Sequence, residues 1–277
     1  MKKTKIALVY DFDKTLSTDD MQAFGFIQNL GMKIDDFWAE CDKFSKENQT
    51  ENILSYMYMM LKLSKEKNMP LTKKYLANCG KHVKFFKGVD TWFDRINEYG
   101  KKLGVTIEHY VVSSGVHEII NGTSIAKNFN QVYACRFVFE DGEPVWPALS
   151  LNYTNKTQFL YRINKGIFDV LDKTVNEEMP HEERPVPFTN MIYIGDSATD
   201  IPCMRLVVKS GGTAVGLYQP NTRNEEYLRD LLRRDRISFV AKADYTENSE
   251  LDVVIKELVK KIKHQSNLEN LRQKQKK

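Results

Sequence analysis

Six short apolar runs recur along the chain, and each is continuous rather than alternating with polar residues. The runs span 6–10, 108–112, 132–139, 191–194, 213–217 and 237–241. Continuous apolar runs are typical of strands that are covered on both faces, as in a parallel sheet. Most of them are followed by apolar residues at helical spacing, as over 90–102. This alternation predicts an α/β fold, a Rossmann-like parallel sheet with helices on both sides.

A hairpin signal interrupts the alternation. Asp141 and Gly142 stand between two apolar runs, which predicts a two-residue turn that joins antiparallel strands. Pro144 and Pro147 flank the second run, and proline cannot donate the backbone hydrogen bond that an interior strand needs. We therefore expect the second strand of this hairpin at the edge of the sheet.

Apolar residues at helical intervals also fill the segment between the first two runs, as with Phe37, Trp38 and Phe44. Gly88 breaks this pattern before the next helix begins. The pattern predicts a helical insertion after the first strand. The predicted division is a core of 1–18 and 87–277, with a basic tail from about 265, and a helical domain of 19–86.

The net charge of the chain is unevenly distributed. The formal charge of the 277 residues is +4, but the segment 260–277 holds seven Lys or Arg and one Glu, so the remainder carries about −2. Such a run is typical of the solvated end of a helix, and the rest of the chain has no excess of basic residues for nucleic acid. A nucleic-acid partner is therefore not expected.

The cysteines and the apolar stretches bear on the compartment. The four cysteines are scattered and have no metal-site spacing with histidine: Cys41, Cys79, Cys135 and Cys203. This pattern predicts reduced, buried thiols. The first strand begins too early for a signal peptide, and the stretch 53–63 is too short to span a bilayer. We expect a cytoplasmic protein without a membrane partner.

Polar residues capable of chemistry cluster where predicted strands end or helices begin. The clusters are Asp11, Asp13 and Thr15; Ser113 and Ser114 before Gly115; Asn155, Lys156 and Thr157; and Asp196 with Asp200. Open parallel sheets bind ligands at the carboxyl ends of their strands. Each cluster alone is compatible with an ordinary turn, a helix cap or a solvated side chain. All four in this order favour one shared site.

The carboxylates indicate the kind of chemistry. Asp11 and Asp13 share a face if strand geometry persists, and neighbouring carboxylates repel unless a cation compensates them. With Asp196 they offer the hard oxygen ligands that Mg²⁺ prefers. A phosphate monoester is itself an anion that must be neutralised before a carboxylate can attack it. The set therefore predicts a Mg²⁺-dependent site for a small phosphorylated metabolite.

Each of these residues receives a role in this interpretation. Asp11 attacks phosphorus to give an aspartyl phosphate, and Asp13 protonates the leaving alcohol and then activates water. Asp11 and Asp196 bind the metal, while Asp200 orients Asp196 or the metal-bound waters. The candidates for holding the phosphate are Thr15, Ser113, Ser114 and Lys156.

The motifs resemble those of the haloacid dehalogenase (HAD) superfamily, whose phosphatases carry Asp-x-Asp-x-Thr, a strand-end Ser or Thr, a Lys, and Gly-Asp-x-x-x-Asp. The resemblance covers about 5–217 and implies a HAD-like core, with the insertion as a subclass I cap like those of phosphoserine phosphatase-like proteins and pyrimidine nucleotidases. It implies that the backbone carbonyl of Asp13 also binds Mg²⁺. It also implies phosphatase chemistry, because dehalogenases lack the acid at Asp13.

Two features depart from the pattern of the family. The interval from Lys156 to Asp196 is longer than in compact relatives, so Lys165 is an alternative lysine. The resemblance does not extend to the acidic residue with which phosphoserine phosphatases recognise their substrate, because Thr18, Asp19 and Asp20 stand at that place instead. Phosphoserine is therefore not implied as the substrate. The candidates for contacting the substrate from the cap are Asp19, Asp20, Gln22 and Phe24.

The predicted function is a Mg²⁺-dependent phosphatase of a small phosphomonoester. Two alternatives stay open, a nucleotidase acting on a nucleoside monophosphate and a catalytically idle HAD-like binding or scaffold protein. The intact Asp13 argues against the idle protein. The segment Asp13-Lys14-Thr15 also resembles the signature of transport ATPases that are phosphorylated on aspartate, but the sequence lacks the apolar spans of such pumps.

Overall fold

The computed structural model describes residues 3–220, 222 and 224–275. Within them, seven strands form one sheet: β1 (Lys5–Tyr10), β2 (Thr106–Val116), β3 (Gln131–Glu140), β4 (Glu143–Leu149), β5 (Met191–Gly195), β6 (Thr213–Tyr218) and β7 (Phe239–Lys242). Their spatial order is β4-β3-β2-β1-β5-β6-β7. All neighbours are parallel except β3 and β4. The predicted α/β fold with a mostly parallel sheet is confirmed.

Ten α-helices accompany the sheet in the described residues: α1 (Phe26–Asn29), α2 (Ile34–Asn48), α3 (Asn52–Glu66), α4 (Lys73–Gly80), α5 (Val89–Lys102), α6 (His117–Asn121), α7 (Lys156–Lys165), α8 (Ile201–Lys209), α9 (Asn224–Arg233) and α10 (Glu250–Gln275). The first five lie between β1 and β2, and α1 to α4 of these fall within the predicted helical insertion. Most of the others connect successive strands, because parallel strands need a crossover between them.

Strand β1 lies at the centre of the sheet, and its register aligns three strand ends. Its last residue, Tyr10, pairs with Val111 of β2 and with Ile194 of β5. Residues 6–10 are fully buried, as the continuous apolar run predicted. Because neighbouring parallel strands end at the same edge, the polar residues that follow β1 and β5 lie beside those at the end of β2.

The hairpin between β3 and β4 has the predicted turn. Asp141 and Gly142 have φ angles of 50° and 88°, the left-handed values that a type I′ turn requires at both central residues. Strand β4 stands at the end of the strand order, and its register against β3 shifts at two places around Pro144 and Pro147. The prediction of an antiparallel edge strand is confirmed.

Two strand boundaries differ from those that the sequence predicts. Strand β2 continues past Val112 to Val116, and its register against β3 shifts between these residues. Ser113 is buried within this extension, so a polar side chain does not mark the strand end here. Strand β7 begins at Phe239, although Ile237 before it is also buried. An apolar run in the sequence indicates which residues are buried, whereas backbone hydrogen bonds to a neighbouring strand determine where the strand ends.

A chain of buried polar groups runs beneath the central strand. The Trp92 indole Nε1 donates to the Tyr10 hydroxyl at 2.9 Å, and this hydroxyl lies 3.1 Å from His109 Nδ1. His109 Nε2 lies 3.0 Å from Asn97 Oδ1. The network assigns the ring proton to Nε2, because Asn97 Oδ1 accepts only. Burial lowers the pKa of His109 to about 3, so this histidine stays neutral in the folded protein.

We predict that this histidine contributes to acid sensitivity. The unfolded chain binds a proton at His109 below pH ~6.5, whereas the folded chain does so near pH 3, so stability falls as pH drops through this window. The contribution amounts to ~2 kcal/mol between pH 7 and pH 5. His109→Gln should therefore lose less stability than the wild type over this range, as measured by urea unfolding at both pH values. The exposed His264→Gln is the control. Equal losses in the wild type and His109→Gln would contradict the assignment.

The segment 19–86 leaves and rejoins the rest of the chain through a short stem. Ser17 and Phe85 form an antiparallel bridge there. Helix α4 of the segment packs on α6, so closely that a Cβ atom added at Gly80 would lie 2.1 Å from the carbonyl oxygen of Ile119. The helices of the insertion are therefore partly supported by the sheet domain. The exact division at residues 18 and 87 stays a prediction.

The basic C-terminal segment is part of one long helix. Helix α10 is continuous through Gln275, and its apolar residues Leu251, Ile255 and Leu258 are buried. Its last two turns are largely exposed, as predicted for the solvated end of a helix. Among the described residues, none of the helices combines the length and the apolar composition that crossing a bilayer requires.

Candidate active site

The predicted polar clusters meet at the carboxyl edge of the central strands. The Asp11 amide continues the pairing of β1 by donating to the Ile194 carbonyl at 2.9 Å, which places the residue after β1 beside the end of β5. Six predicted site residues are buried there: Asp11, Thr15, Ser113, Lys156, Asp196 and Asp200. Because buried polar groups need hydrogen-bond or charge partners, these side chains must pair with one another or with a bound ligand.

Lys156 is the cation of this site. It opens α7, its side chain is fully buried, and its Nζ lies 3.2 Å from Asp11 Oδ1 and 3.0 Å from Asp200 Oδ1. Burial alone would lower the pKa of Lys156, but the two carboxylates outweigh it and raise the pKa above its ordinary value. The alternative, Lys165, lies elsewhere and donates to the Val175 carbonyl at 2.7 Å. Lys156 is therefore the lysine that the fold brings to the carboxylates.

Asp200 is held from four directions. Its Oδ1 accepts from Lys156 at 3.0 Å and from the Tyr193 hydroxyl at 2.8 Å. Its Oδ2 accepts from the backbone amide and the hydroxyl of Ser197, both at 3.2 Å. The bond from the amide belongs to a capping box of Ser197 and Asp200 before α8. Both oxygens of Asp200 are thus engaged by protein donors, an arrangement that suits a positioning residue.

Thr15 and Asp196 form a direct link between the first and the fourth cluster. The Thr15 hydroxyl donates to Asp196 Oδ1 at 3.1 Å, and the Asn224 side chain donates to the Asp196 carbonyl at 2.6 Å. The Tyr245 hydroxyl fixes the Thr15 carbonyl at 2.8 Å. The side chain of Thr15 is fully buried and its hydroxyl is engaged by Asp196, and its predicted role in holding the phosphate stays a prediction.

The loop after β1 folds tightly around Asp13. Lys14 adopts a left-handed φ of 56°, and its Nζ pairs with Asp20 at 2.8 Å. Asp13 Oδ1 accepts from the Met21 amide at 2.8 Å, which orients the carboxyl group. Burial and the charges of Asp20 and Asp11 raise the pKa of Asp13 well above its ordinary value.

Three carboxylates lie close enough to share one cation. Asp11, Asp196 and Asp200 each offer an oxygen within 4.8 Å of the others. Burial and the charge of Asp200 raise the pKa of Asp11 to about 6, and burial with the charges of Asp200 and Asp11 raises the pKa of Asp196 well above its ordinary value. The three carboxylates are buried, and their negative charges repel one another. Such a group of oxygen ligands suits a divalent cation.

The second cluster is shaped by the end of β2. The Ser113 hydroxyl accepts from the Gly115 amide at 3.1 Å, and Ser114 Oγ is buried with no hydrogen-bond partner in the described part of the chain. A Cβ atom at Gly115 would lie 2.0 Å from Met21 Cε and 3.1 Å from Asp13 Oδ2. Glycine is therefore what lets the β2 end approach the loop that carries Asp13.

A cavity of about 340 Å³ opens over these residues. The first wall comes from the clusters: Asp11, Asp13, Lys14, Ser113, Ser114, Lys156, Asp196, Ser197 and Thr199. The second wall comes from the insertion: Asp20, Gln22, Trp38, Cys41, Asp42, Asn52, Ile53 and Tyr56. The fold thus brings Asp11, Asp13, Ser113, Ser114, Lys156 and Asp196 together around one volume.

Two of the four residues that were predicted to contact the substrate line the cavity, and two do not. Asp20 and Gln22 line the cavity. Asp19 does not line it, and its carboxylate lies 3.6 Å from Lys14 Nζ. Phe24 packs against the hydrophobic core instead. The residues that α2 and α3 contribute to the cavity were not predicted, because helical spacing shows that a face is buried but not what it faces.

A model of the haloacid dehalogenase-like hydrolases matches residues 8–205, a span that holds all four clusters. The chain belongs to this family of hydrolases. A protein of Borreliella burgdorferi described as uncharacterized is 29% identical in an alignment that covers 89% of this chain and 93% of the relative.

Solved structures share the fold at low sequence identity. A phospho-aspartyl intermediate analogue of phosphoserine phosphatase is 16% identical, covers 92% of this chain and 99% of its own, and gives a TM-score of 0.54. Cytosolic 5′-nucleotidase IIIB bound to cytidine is 16% identical, covers 95% of this chain and 87% of its own, and gives a TM-score of 0.50. The HAD-like fold with a helical insertion is thereby confirmed.

Proposed function

We propose that this HAD-family hydrolase is a Mg²⁺-dependent phosphomonoesterase that works through an aspartyl phosphate on Asp11. The observation that carries the proposal is the position of Asp11 in the cavity, with Lys156 Nζ at 3.2 Å and Asp13 and Asp196 along the same wall. A nucleophilic carboxylate, a separate acid and a fixed cation are the parts that phosphoryl transfer to an aspartate requires.

In the first step, an oxygen of Asp11 attacks the phosphorus of the bound ester, and the bond from phosphorus to the ester oxygen breaks. Asp13 gives its proton to the departing alcohol. Lys156 holds the Asp11 carboxylate in place for this attack, since it contacts both Asp11 and the anchored Asp200. The products of the step are the alcohol and a phosphorylated Asp11.

In the second step, Asp13, now ionised, takes a proton from a water molecule that attacks the phosphorus of the aspartyl phosphate. The bond to Asp11 breaks, inorganic phosphate leaves, and Asp13 is again protonated. The Met21 amide holds Asp13 in position for both transfers, with its 2.8 Å hydrogen bond. The role of Asp13 thus changes from acid to base between the steps.

Asp11, Asp196 and the backbone carbonyl of Asp13 would hold the Mg²⁺ ion, and Asp200 would orient the set through Lys156 and Ser197. When bound, the ion neutralises phosphate oxygens and the buried carboxylates. The Ser113 and Ser114 hydroxyls would contact the remaining phosphate oxygens. We propose that residues 19–86 act as a cap, because their side chains form the wall of the cavity opposite the catalytic residues.

Asp13→Asn tests the two-step scheme. Hydrolysis of p-nitrophenyl phosphate should require Mg²⁺ in the wild type, and we expect the variant to lose ~10²–10⁴-fold in kcat, because asparagine can neither donate the proton nor activate water. The nitrophenolate leaving group needs little protonation, so the second step should suffer more. Protein quenched in acid should then carry one phosphoryl group by intact mass.

The control for Asp13→Asn is Asp90→Asn, which removes an exposed carboxylate at the start of α5. It should keep the wild-type rate and its Mg²⁺ requirement. Undiminished turnover of Asp13→Asn would contradict the assigned role, and a wild-type protein without activity on any ester would contradict the proposed function itself.

A nucleotidase is the second candidate, and one feature of the cavity favours it. Trp38 and Tyr56 lie on the wall that the insertion contributes to the cavity, with ring centroids 5.9 Å apart. Aromatic side chains provide stacking surfaces for a planar base. Nucleoside monophosphates therefore belong in the same assays as smaller esters.

A further inference from the structure

The wall formed by the insertion is the part of the cavity that meets the alcohol portion of a substrate. The phosphate must lie next to Asp11 and Lys156, so the rest of the ester extends towards α2 and α3. Trp38 and Asp42 come from α2, and Tyr56 comes from α3. The chemistry of this wall therefore selects among phosphomonoesters.

The wall offers no free cation. In the described part of the chain, the basic residues that line the cavity are Lys14 and Lys156. Lys14 already pairs with Asp20 at 2.8 Å, and Lys156 pairs with Asp11 at 3.2 Å. Asp42 adds a further carboxylate to the wall. A second anionic group on the substrate would thus be desolvated beside carboxylates without a partner of opposite charge.

Two buried polar atoms of the wall lack partners among the described residues. Gln22 is 2% exposed, and its Oε1 accepts no hydrogen bond; the indole Nε1 of Trp38 donates none. A buried polar atom without a partner is unfavourable, and a bound molecule that supplies the partner removes that penalty. Gln22 Oε1 requires a donor, such as a hydroxyl or an ammonium group on the substrate.

We infer, on the basis of the proposed phosphatase activity, that the site prefers phosphomonoesters whose alcohol portion lacks a second negative charge and carries an ammonium group. An ammonium group donates hydrogen bonds to Gln22 Oε1 and is attracted by the Asp42 carboxylate. The faces of Trp38 and Tyr56 also attract cations in a desolvated site. Substrates of this class are phosphate esters of amino alcohols.

A matched pair of esters tests this inference. O-phosphoethanolamine and O-phosphoserine differ by one carboxylate, and we expect kcat/KM to be at least ~10-fold higher for O-phosphoethanolamine, because a second anion lies near Asp42 and Asp20. Glycerol 1-phosphate against 3-phosphoglycerate repeats the comparison without the ammonium group, and the neutral ester should again be preferred. Of these esters, O-phosphoethanolamine should be the best substrate.

A charge reversal on α2 is the second test of the inference. Asp42 is exposed at its surface, so Asp42→Lys should fold, and it should lower the preference for O-phosphoethanolamine over O-phosphoserine by ~10-fold or more. Glu40→Lys makes the same charge change on an exposed residue of α2 that does not line the cavity, and it should keep the wild-type ratio. Gln22→Leu should lower kcat/KM for O-phosphoethanolamine by a larger factor than it lowers kcat/KM for p-nitrophenyl phosphate.

The outcomes separate the inference from the proposed function. If the proposed function is wrong, the wild-type protein will hydrolyse none of the esters, p-nitrophenyl phosphate included. Hydrolysis of p-nitrophenyl phosphate together with equal or faster turnover of O-phosphoserine would overturn the inference alone. A substrate ratio that Asp42→Lys and Glu40→Lys change to the same extent would also overturn it, since the effect would then be one of overall charge.

Discussion

Asp11→Asn is expected to lower kcat/KM for p-nitrophenyl phosphate by on the order of 10⁴-fold or more, because an amide cannot form the aspartyl phosphate. The substitution is nearly isosteric, and the amide oxygen can take the place of Asp11 Oδ1, which lies 3.2 Å from Lys156 Nζ. The loss should therefore reflect chemistry rather than folding. Steady-state rates with excess Mg²⁺ measure it, and intact mass after an acid quench should show no phosphoryl group.

The same variant should be more stable than the wild type when the metal is removed. In the wild type, burial and the charge of Asp200 raise the pKa of Asp11 to about 6, so the ionised carboxylate is unfavourable in the folded state. The folded protein then binds more protons than the unfolded chain between pH ~4 and pH ~6, and its stability falls as the pH rises through that window. Asparagine does not titrate.

The stability gap between Asp11→Asn and the wild type should thus be larger at pH 7.5 than at pH 4.5. Thermal unfolding in EDTA at the two pH values measures it, and each kcal/mol corresponds to roughly 2–4 °C for a chain of this size. Added Mg²⁺ should stabilise the wild type more than the variant, since the variant lacks one carboxylate. An inactive variant that is also less stable at both pH values would indicate damage to the fold instead.

The fold and the position of the carboxylates could be predicted because they depend on local sequence. A continuous apolar run such as 6–10 identifies a buried parallel strand, and parallel strands end at one edge, so Asp11 and Asp196 had to lie near each other. The order of the motifs predicted that Lys156 belongs to the site, whereas the long interval between Lys156 and Asp196 did not. The pairing of Lys156 with both Asp11 and Asp200 depends on how α7 packs, which the local pattern does not encode.

The residues that face the cavity from α2 and α3 could not be predicted for a related reason. Helical periodicity gives each helix one buried face, but an apolar residue of a helix can meet the core, as Phe37 of α2 does, or line a cavity, as Trp38 of the same helix does. The packing of several helices decides between these outcomes. Thr15 shows the same limit, since the motif places it near the site but only the tertiary structure turns its hydroxyl to Asp196.

Lys156→Met should reduce both activity and stability. Methionine preserves much of the apolar stem but removes the charge, and Asp11 and Asp200 would then be buried without their cation. Breaking a buried ion pair by removing one partner costs about 3–5 kcal/mol, and losing a charge that fixes a reacting group lowers kcat by about 10²–10³-fold. Thermal unfolding and hydrolysis of p-nitrophenyl phosphate measure the two effects.

The two lysines of α7 make this prediction specific. Lys165→Met removes a charge from the same helix, but Lys165 Nζ donates to loop carbonyls such as that of Val175, so this variant should keep its activity. Mg²⁺ should restore part of the melting temperature of Lys156→Met, because the ion compensates the carboxylates that the lysine leaves unpaired. If Lys165→Met lost activity and Lys156→Met did not, the assignment of the catalytic cation would be wrong, and the attack by Asp11 would need another source of positioning.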